Sequence, residues 1–314
     1  MDKLISIIVP VYKTEEYLEY CLDSLCRQSM QEIEIILIDD ASPDRCGEIC
    51  DSYATKDTRF RVIHRPTNKG LSAARNLGIR LASCDYLMFV DSDDWVSNDF
   101  CKDAYQCAIQ NNADLVMFNF EYVHDSKAVP RSTKPFPKIC ITRERAIDLL
   151  FTDVKNYAWN KLYHKKLFNE VFYPEGYAYE DIATTYKTVW EATNIYYLGK
   201  TLYYYRLRPG SICQINSRPG DWFKMYILQC KDLWNKGCTS EQFIMFLNDL
   251  GMKYCIRTEE DYANPDYTFL AHVLRKNKNF PKGLSWKRKF LFIMFKYYPP
   301  VFEIICNLFA RKKS

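Results

Sequence analysis

Five short apolar runs, separated by stretches of helical spacing, govern what this chain can fold into. Leu4 to Val9, Ile33 to Ile38, Phe60 to His64, Asp85 to Val90 and Leu115 to Phe120 all have strand length. The first two are nearly continuous in β-branched and aliphatic residues, the pattern of strands covered on both faces of a parallel sheet. Between them, Glu15 to Gln28 places Leu18, Leu22 and Leu25 at helical spacing, and Pro43 suits the first turn of a helix running to about Lys56. Leu71, Ala74, Leu77, Gly78 and Leu81 make the inward face of a third helix, with Ser72 and Arg75 expected on its outer face. Asp99 to Gln110 is a fourth. Strand alternating with helix means an α/β fold with a doubly wound, mainly parallel sheet. In such sheets ligands sit beyond the carboxyl ends of the strands.

Three of these strands end in polar signatures: Pro10-Val11-Tyr12, Asp39-Asp40 and Asp91-Ser92-Asp93-Asp94. All three should meet on one sheet edge. If the fourth strand continued through its carboxylates, Asp91 and Asp93 would share one face. Carboxylates converging there repel unless neutralised, and Mg²⁺ or Mn²⁺ with a phosphorylated ligand would neutralise them. A solvated acidic turn with an Asp helix cap is the competing reading. The turn after strand one lacks Gly-x-Gly-x-x-Gly, and no Gly-Lys-Ser/Thr loop occurs. Phosphates must then be held by metal and side chains, while Asp39 and Asp40 suit a base edge or ribose hydroxyls, because an ionised carboxylate only accepts hydrogen bonds.

Composition excludes other classes. A net charge of +4 over 314 residues gives no nucleic-acid footprint. The thirteen cysteines form no Cys-x-x-Cys pair and have only four histidines beside them, so they read as reduced, mostly buried thiols of a cytoplasmic protein rather than zinc ligands.

The ordered set Val9-Pro10-Val11-Tyr12, Asp39-Asp40-Ala41-Ser42, Asn68-Lys69-Gly70-Leu71-Ser72-Ala73-Ala74-Arg75-Asn76 and Asp91-Ser92-Asp93-Asp94 resembles family 2 glycosyltransferases. These are inverting, metal-dependent enzymes of GT-A fold, and the match is best over the first hundred residues. The resemblance implies that Pro10, Val11 and Tyr12 line a nucleotide pocket and that Asp40, with Asp39, meets the base or ribose. It implies that Arg75 contacts the base or diphosphate. Asp93, Asp91 and Asp94 would hold Mg²⁺ or Mn²⁺ on a nucleotide-sugar donor, expected to be a UDP-sugar, with Ser92 among the residues that bind that donor. Ala41 stands where many relatives carry glycine.

The middle of the chain carries further chemistry. Residues 125–140, with three prolines, read as an exposed excursion, and Arg143 to Phe151 as an amphipathic helix. Trp159-Asn160-Lys161-Leu162-Tyr163 is similar to a segment of bacterial members that build surface polysaccharides. Two readings stay open: Asn160 and Lys161 near the donor, or an aromatic strand with polar edges. Tyr177-Ala-Tyr179-Glu180-Asp181-Ile182 opens an expected helix from Ile182 to Ala192. An inverting transfer needs a base for the acceptor hydroxyl. A carboxylate in a first helical turn would be kept ionised by the dipole, though acids are common there as simple caps. The resemblance favours Asp181 as base, with Glu180 orienting a substrate. Arg206 and Arg208 precede a glycine turn with Ser211, and two readings stay open: Arg208 and Ser211 as a clamp on the leaving diphosphate, or a solvated surface segment.

The expected organisation is a catalytic domain over 1–215, with a nucleotide-sugar half (1–120) and an acceptor half (140–215). A helical C-terminal region over 216–314 follows. Trp286 to Lys313 combines basic flanks with aromatic and aliphatic runs too short to span a bilayer, and two readings stay open: helices lying on the inner face of the membrane, or a helical pair packed on the core with a solvated basic tail. The function expected is transfer of a sugar to a glycan or lipid-linked glycan acceptor. Nucleotidyl transfer would need a Gly-rich basic loop after strand one, which is absent. An inactive sugar- or lipid-binding scaffold would have lost Asp91, Asp93 or Asp181, all of which are present.

Overall fold

A computed structural model of the chain describes residues 2–124, 139–208, 219–257 and 265–276, together with Ile293 and Tyr297. Among these residues nine strands form one sheet: β1 (Ile5–Val11), β2 (Ile33–Asp39), β3 (Phe60–His64), β4 (Tyr86–Phe89), β5 (Trp95–Val96), β6 (Leu115–Val123), β7 (Ile139–Ile141), β8 (Lys161–His164) and β9 (Ile195–Arg206). The order is β3-β2-β1-β4-β8-β6-β9-β5, with β7 on β9. The β3-β2-β1-β4 block is parallel. Strand β8 runs antiparallel to both β4 and β6, so the fifth apolar run does not pair with the fourth. Every residue of β1 and β2 is buried, as their mainly apolar sequences require, and the polar exceptions Ser6 and Glu34 hydrogen-bond to each other. Pro10 lies past the four residues of β1 that pair with β4, at a strand end where its missing N–H costs nothing on that side.

Helices α1 (Glu15–Cys26), α2 (Cys46–Lys56), α3 (Leu71–Leu81) and α4 (Phe100–Asn111) follow strands as expected. Helix α2 starts three residues after Pro43, because the Asp44 carboxylate accepts from the Cys46 N–H and the Ser42 hydroxyl, closing a turn first. Gly70 enters α3 at φ 87°, a backbone that side chains resist. Within α3, Gly78 lies so close to β1 that an added Cβ would stand 2.3 Å from Ile8 Cγ2. Ser72 and Arg75, expected on the outer face of α3, are buried. Residues 173–180 account for this: Ser72 donates to the Pro174 carbonyl and Asn76 to the Tyr173 carbonyl.

Helices α5 (Arg143–Phe151) and α6 (Thr185–Glu191) belong to the same compact unit, which ends at Tyr226. A second unit begins at Ile227. Helices α7 (Pro219–Asn235), α8 (Glu241–Arg257) and α9 (Pro265–Lys276) follow in the chain, the last two packed on each other. No described helix is long and apolar enough to cross a membrane. The excursion expected over 125–140 lies outside the described residues up to 138, as does nearly all of the basic, aromatic stretch at 286–313. Cys21, Cys46, Cys50, Cys84, Cys101, Cys107, Cys230 and Cys238 are buried free thiols.

Candidate active site

Strand β4 stops at Phe89, so Asp91 to Asp94 form a turn rather than a strand extension, closed by the Asp94 N–H on the Asp91 carbonyl. The turn divides its carboxylates. Asp94 points inward, 1% exposed; its Oδ1 accepts from the Arg206 N–H at 2.8 Å and its Oδ2 from the Tyr203 hydroxyl at 2.7 Å. Tyr203 also accepts the Asp91 N–H. Burial, then the charges of Asp93 and Asp91, push the Asp94 carboxyl well above the usual carboxylate range. Asp94, expected as a metal ligand, therefore braces the turn against β9. Ser92 is buried and pairs with the Thr14 hydroxyl at 3.0 Å, tying the turn to the start of α1.

Asp91 and Asp93 remain partly open and each meets one arginine. Arg75 Nη2 donates to Asp91 Oδ1 and Arg208 Nε to Asp93 Oδ2, both at 2.7 Å. Burial raises the Asp91 carboxyl; Arg75 pulls it down and Asp93 pushes it up. Arg208, expected to clamp a diphosphate, lies over the Tyr17 ring while bound to Asp93. Arg206 is buried among the Tyr17, Tyr20 and Trp95 rings and donates to the Asp93 carbonyl, so it holds the turn itself. Ser211 lies outside the described residues.

Arg75 is 3% exposed, and its second arm, Nη1, donates to Glu180 Oε1 at 2.5 Å. The guanidinium also lies 5.4 Å from the Tyr173 ring centre. Burial works against its charge, but Asp91 and Glu180 outweigh this and keep it firmly cationic. Expected at a base or diphosphate, Arg75 instead bridges the Asp91 turn to the Glu180-Asp181 segment. That segment is not a helix start. Helix α6 begins at Thr185, after turns in which Thr184 and Thr185 donate to the Asp181 carbonyl. The Asp181 carboxylate accepts its own neighbour's N–H, from Ile182 at 2.8 Å. In place of the expected dipole-stabilised ionisation, the Asp181 carboxyl is pushed up to about 7, by burial first and then by Glu180, against the pull of Arg75. Burial raises Glu180 as well, with Arg75 opposing.

At the end of β2, Asp39 and Asp40 are buried and engaged within the protein. Asp39 accepts the Ser42 N–H at 2.9 Å and pairs with His64 Nδ1 at 2.8 Å. Asp40 accepts from the Lys69 and Gly70 N–H groups and pairs with Arg65 at 2.8 Å. Asp40 organises the loop before α3, and Asp39 ties the turn before α2 to the end of β3, where a base or ribose contact was expected. Ala41, between them and Ser42, sits at φ 55°, the left-handed conformation that glycine adopts without strain. Pro10 and Val11 are buried in the sheet, and Tyr12 is exposed beyond them.

Lys161 is wholly buried. Its ammonium caps the carbonyls of Lys155 and Tyr157 and Oδ1 of Asn160, and burial pushes its pKa down to about 7. Asn160 is buried too, donating to the Val154 carbonyl. Both hold the 154–160 loop. Tyr203, Thr14, Arg65 and His64 were not singled out in the sequence; they are ordinary strand, loop and cap residues there, and only pairing across 13 to 112 positions gives them their roles.

Among the described residues no three acidic, cysteine or histidine side chains converge into a metal cage. Asp91 and Asp93 nonetheless fit Mg²⁺ or Mn²⁺: they are oxygen donors, about a quarter exposed at 24% and 22%, and each arginine engages one oxygen of its carboxylate. Ions of this type use one or two carboxylates and leave other positions to water and ligand phosphate.

The family model for glycosyl transferase family 2 matches residues 6–177. The chain is 34% identical over 221 residues to Glycosyltransferase GlyG of Streptococcus pneumoniae serotype 4, covering 68% of this chain and 73% of that protein. It is 38% identical over 230 residues to the uncharacterized glycosyltransferase EpsJ of Bacillus subtilis, covering 70% and 65%. A crystal structure of S. aureus TarS 1-349 in complex with UDP-GlcNAc superposes with a TM-score of 0.68 at 23% identity, covering 87% of this chain and 81% of that one. TarS is named a poly(ribitol-phosphate) beta-N-acetylglucosaminyltransferase; this chain spans about a third of its length, 35%, at 29% identity.

Proposed function

The chain belongs to glycosyl transferase family 2, with the GT-A fold, and we propose that it moves one sugar with inversion from a UDP-sugar to a hydroxyl of a glycan or lipid-linked glycan in surface-polysaccharide synthesis. The observation that carries this reading is the Arg75 bridge, which joins Asp91, one of two partly open carboxylates, to Glu180, the neighbour of a carboxyl poised near neutrality. TarS binding UDP-GlcNAc supports the choice of donor.

In the proposed reaction Asp91 and Asp93 would hold Mg²⁺ or Mn²⁺. Such an ion would supply positive charge to offset the charge that builds on the leaving diphosphate, usually the largest contribution in such transfers. Asp181 takes the proton of the acceptor hydroxyl as its oxygen forms a bond to the anomeric carbon opposite the breaking bond. A pKa of about 7 suits a base working near neutral pH. Glu180, anchored on Arg75, fixes the segment that presents Asp181. Arg208 positions Asp93 and lies beside the site of leaving-group charge. Tyr12, exposed past β1, offers a ring to the nucleotide. The basic C-terminal stretch 286–313 would lie on an anionic membrane surface, on its cytoplasmic side, where a lipid-linked acceptor is held.

A thermal-shift panel of UDP-, GDP-, CMP- and dTDP-sugars, with and without Mn²⁺, tests the donor site. A ligand at 100 times its Kd stabilises the fold by about 2.7 kcal/mol. The expected result is a Mn²⁺-dependent shift with UDP-sugars that Asp93→Ala removes. No shift with any nucleotide sugar overturns the reading.

A further inference from the structure

Six aromatic rings gather around the ends of β6 and β9. Four lie nearly parallel: Trp159 stacks on Tyr203 at 4.1 Å and on Tyr157 at 4.6 Å, and Tyr157 faces Tyr205 at 6.2 Å. Phe120 stands edge-on to Trp159 and Tyr157, and Tyr122 edge-on to Tyr205. The β6–β9 register slips between Phe118 and Phe120, an irregularity of the kind that re-aims side chains beside functional sites. A cluster serving only as core would be covered throughout. Here burial is graded: Tyr203 and Trp159 are buried, Phe120, Tyr157 and Tyr205 are half-buried, and Tyr122 is 46% exposed.

The buried end of this stack touches one half of the candidate site, and the chain beside Tyr157 reaches the other. The Tyr203 hydroxyl binds the Asp91 N–H and the Asp94 carboxylate. Next to Tyr157, the Asn156 carbonyl accepts the Thr185 hydroxyl at 2.6 Å, and the Thr185 N–H donates to the Asp181 carbonyl at 2.8 Å. A ridge of rings therefore runs from the surface to the turn that carries Asp91, and the segment that bears Tyr157 and Trp159 is tied to the turn that carries Asp181. A pyranose has an apolar C–H face and a rim of hydroxyls. Tyrosine offers a π face to the first and a hydroxyl to the second. The Tyr122 and Tyr157 hydroxyls, 3.1 Å apart, stand at the outer end of this ridge, and a phenol hydroxyl both donates and accepts.

We propose that Tyr122, Tyr157 and Tyr205 form the subsite that receives the acceptor as a neutral pyranose glycan, stacking its sugar rings and leading its terminal hydroxyl toward Asp181. This rests on the transferase reading above and adds the class of acceptor and where it binds.

Full-length protein is titrated with cellotetraose, chitotetraose and maltotetraose, followed by tryptophan fluorescence, with UDP-GlcNAc and Mn²⁺ in a separate titration. At least one tetrasaccharide binds. Tyr122→Ala and Tyr157→Ala weaken that binding about 2- to 12-fold, the range of one lost aromatic contact, and leave the UDP-GlcNAc Kd unchanged. Tyr122→Phe, which keeps the ring, binds within about twofold of wild type. Ile109→Ala, on the exposed face of α4, is a control without effect. Should Tyr157→Ala fail to fold, the exposed Tyr122 carries the test alone. The proposal is overturned if no tetrasaccharide binds, or if folded alanine variants bind as tightly as wild type. Loss of UDP-sugar binding with glycan binding intact would sink the transferase reading and leave the subsite standing.

Discussion

Arg75→Met removes one buried cation that two carboxylates share. Met approximates the length and apolar stem of Arg75, so the change isolates the charge and the donors. In the wild type both terminal nitrogens are committed, at 2.7 Å to Asp91 and 2.5 Å to Glu180, in a side chain 3% exposed. The partners are 24% and 7% exposed, so Glu180 has little water to turn to once the arginine is gone. Removing one partner of a buried pair costs about 3–5 kcal/mol, since the remaining charge stays desolvated. For a unit of this size, about 3 kcal/mol lowers Tm by roughly 6–12 °C. Arg75→Lys keeps the charge but reaches only one carboxylate with a single ammonium, and should lose less. The decisive assay is a thermal-melt cycle of Arg75→Met, Glu180→Gln and the double variant. Neutral glutamine no longer needs a cation, so the double variant should recover at least about 1 kcal/mol relative to the sum of the singles. Additive losses, or an Arg75→Met protein that melts like wild type, would refute the bridge as a structural link.

Transfer by the wild type should fall on the acid side with a midpoint near pH 7, because the Asp181 carboxyl must be ionised to accept a proton and its pKa stands at about 7. Asp181→Asn should keep UDP-sugar binding and lose roughly 10²–10⁴-fold in turnover, read by product release; near-normal turnover would move the base elsewhere. The pKa of His64 is raised by Asp39 and Asp51, so its contribution to stability is full below its unfolded value and lost as pH rises through the folded one. His64→Gln should therefore lower Tm at pH 6 and do little at pH 9. With His64 46% exposed and its pairs screened by solvent, the effect stays within about 1 kcal/mol. Gly78→Ala forces a methyl to within 2.3 Å of Ile8 on the central strand and should cost about 1–3 kcal/mol in urea unfolding.

The strand ends were legible because they are local. An apolar run of strand length that stops in polar residues marks a carboxyl end wherever it occurs, and the three marked ends do lie on adjacent strands, β2, β1 and β4. The helices α3, α5 and α8 to α9 follow from spacing alone, and Thr142 caps α5 through the Arg145 N–H as its residue type suggests. Strand β9 was legible only from Thr201 to Tyr205; its first half, Ile195 to Lys200, alternates too weakly to stand apart from the loop before it. The two-residue β5 carries no pattern at all, being defined by pairing with Tyr203 and Tyr204.

The carboxylates show where local reading ends. Asp91, Asp93 and Asp94 are chemically alike in sequence, and nothing local separates a solvent-facing acid from one clamped by Tyr203 and Arg206, 109 and 112 positions away. Arg75 reads as an outer-face cation on its own helix and becomes a buried bridge only because Glu180 arrives from 105 residues on. By itself the sequence determined the alternating architecture and the edge on which the acidic turns collect, because periodicity and strand length act within a few residues. Tertiary structure alone decided which acids stay open, which are locked inward and which carboxyl is lifted toward neutrality, because burial and charge pairing depend on neighbours that the chain brings together only when folded.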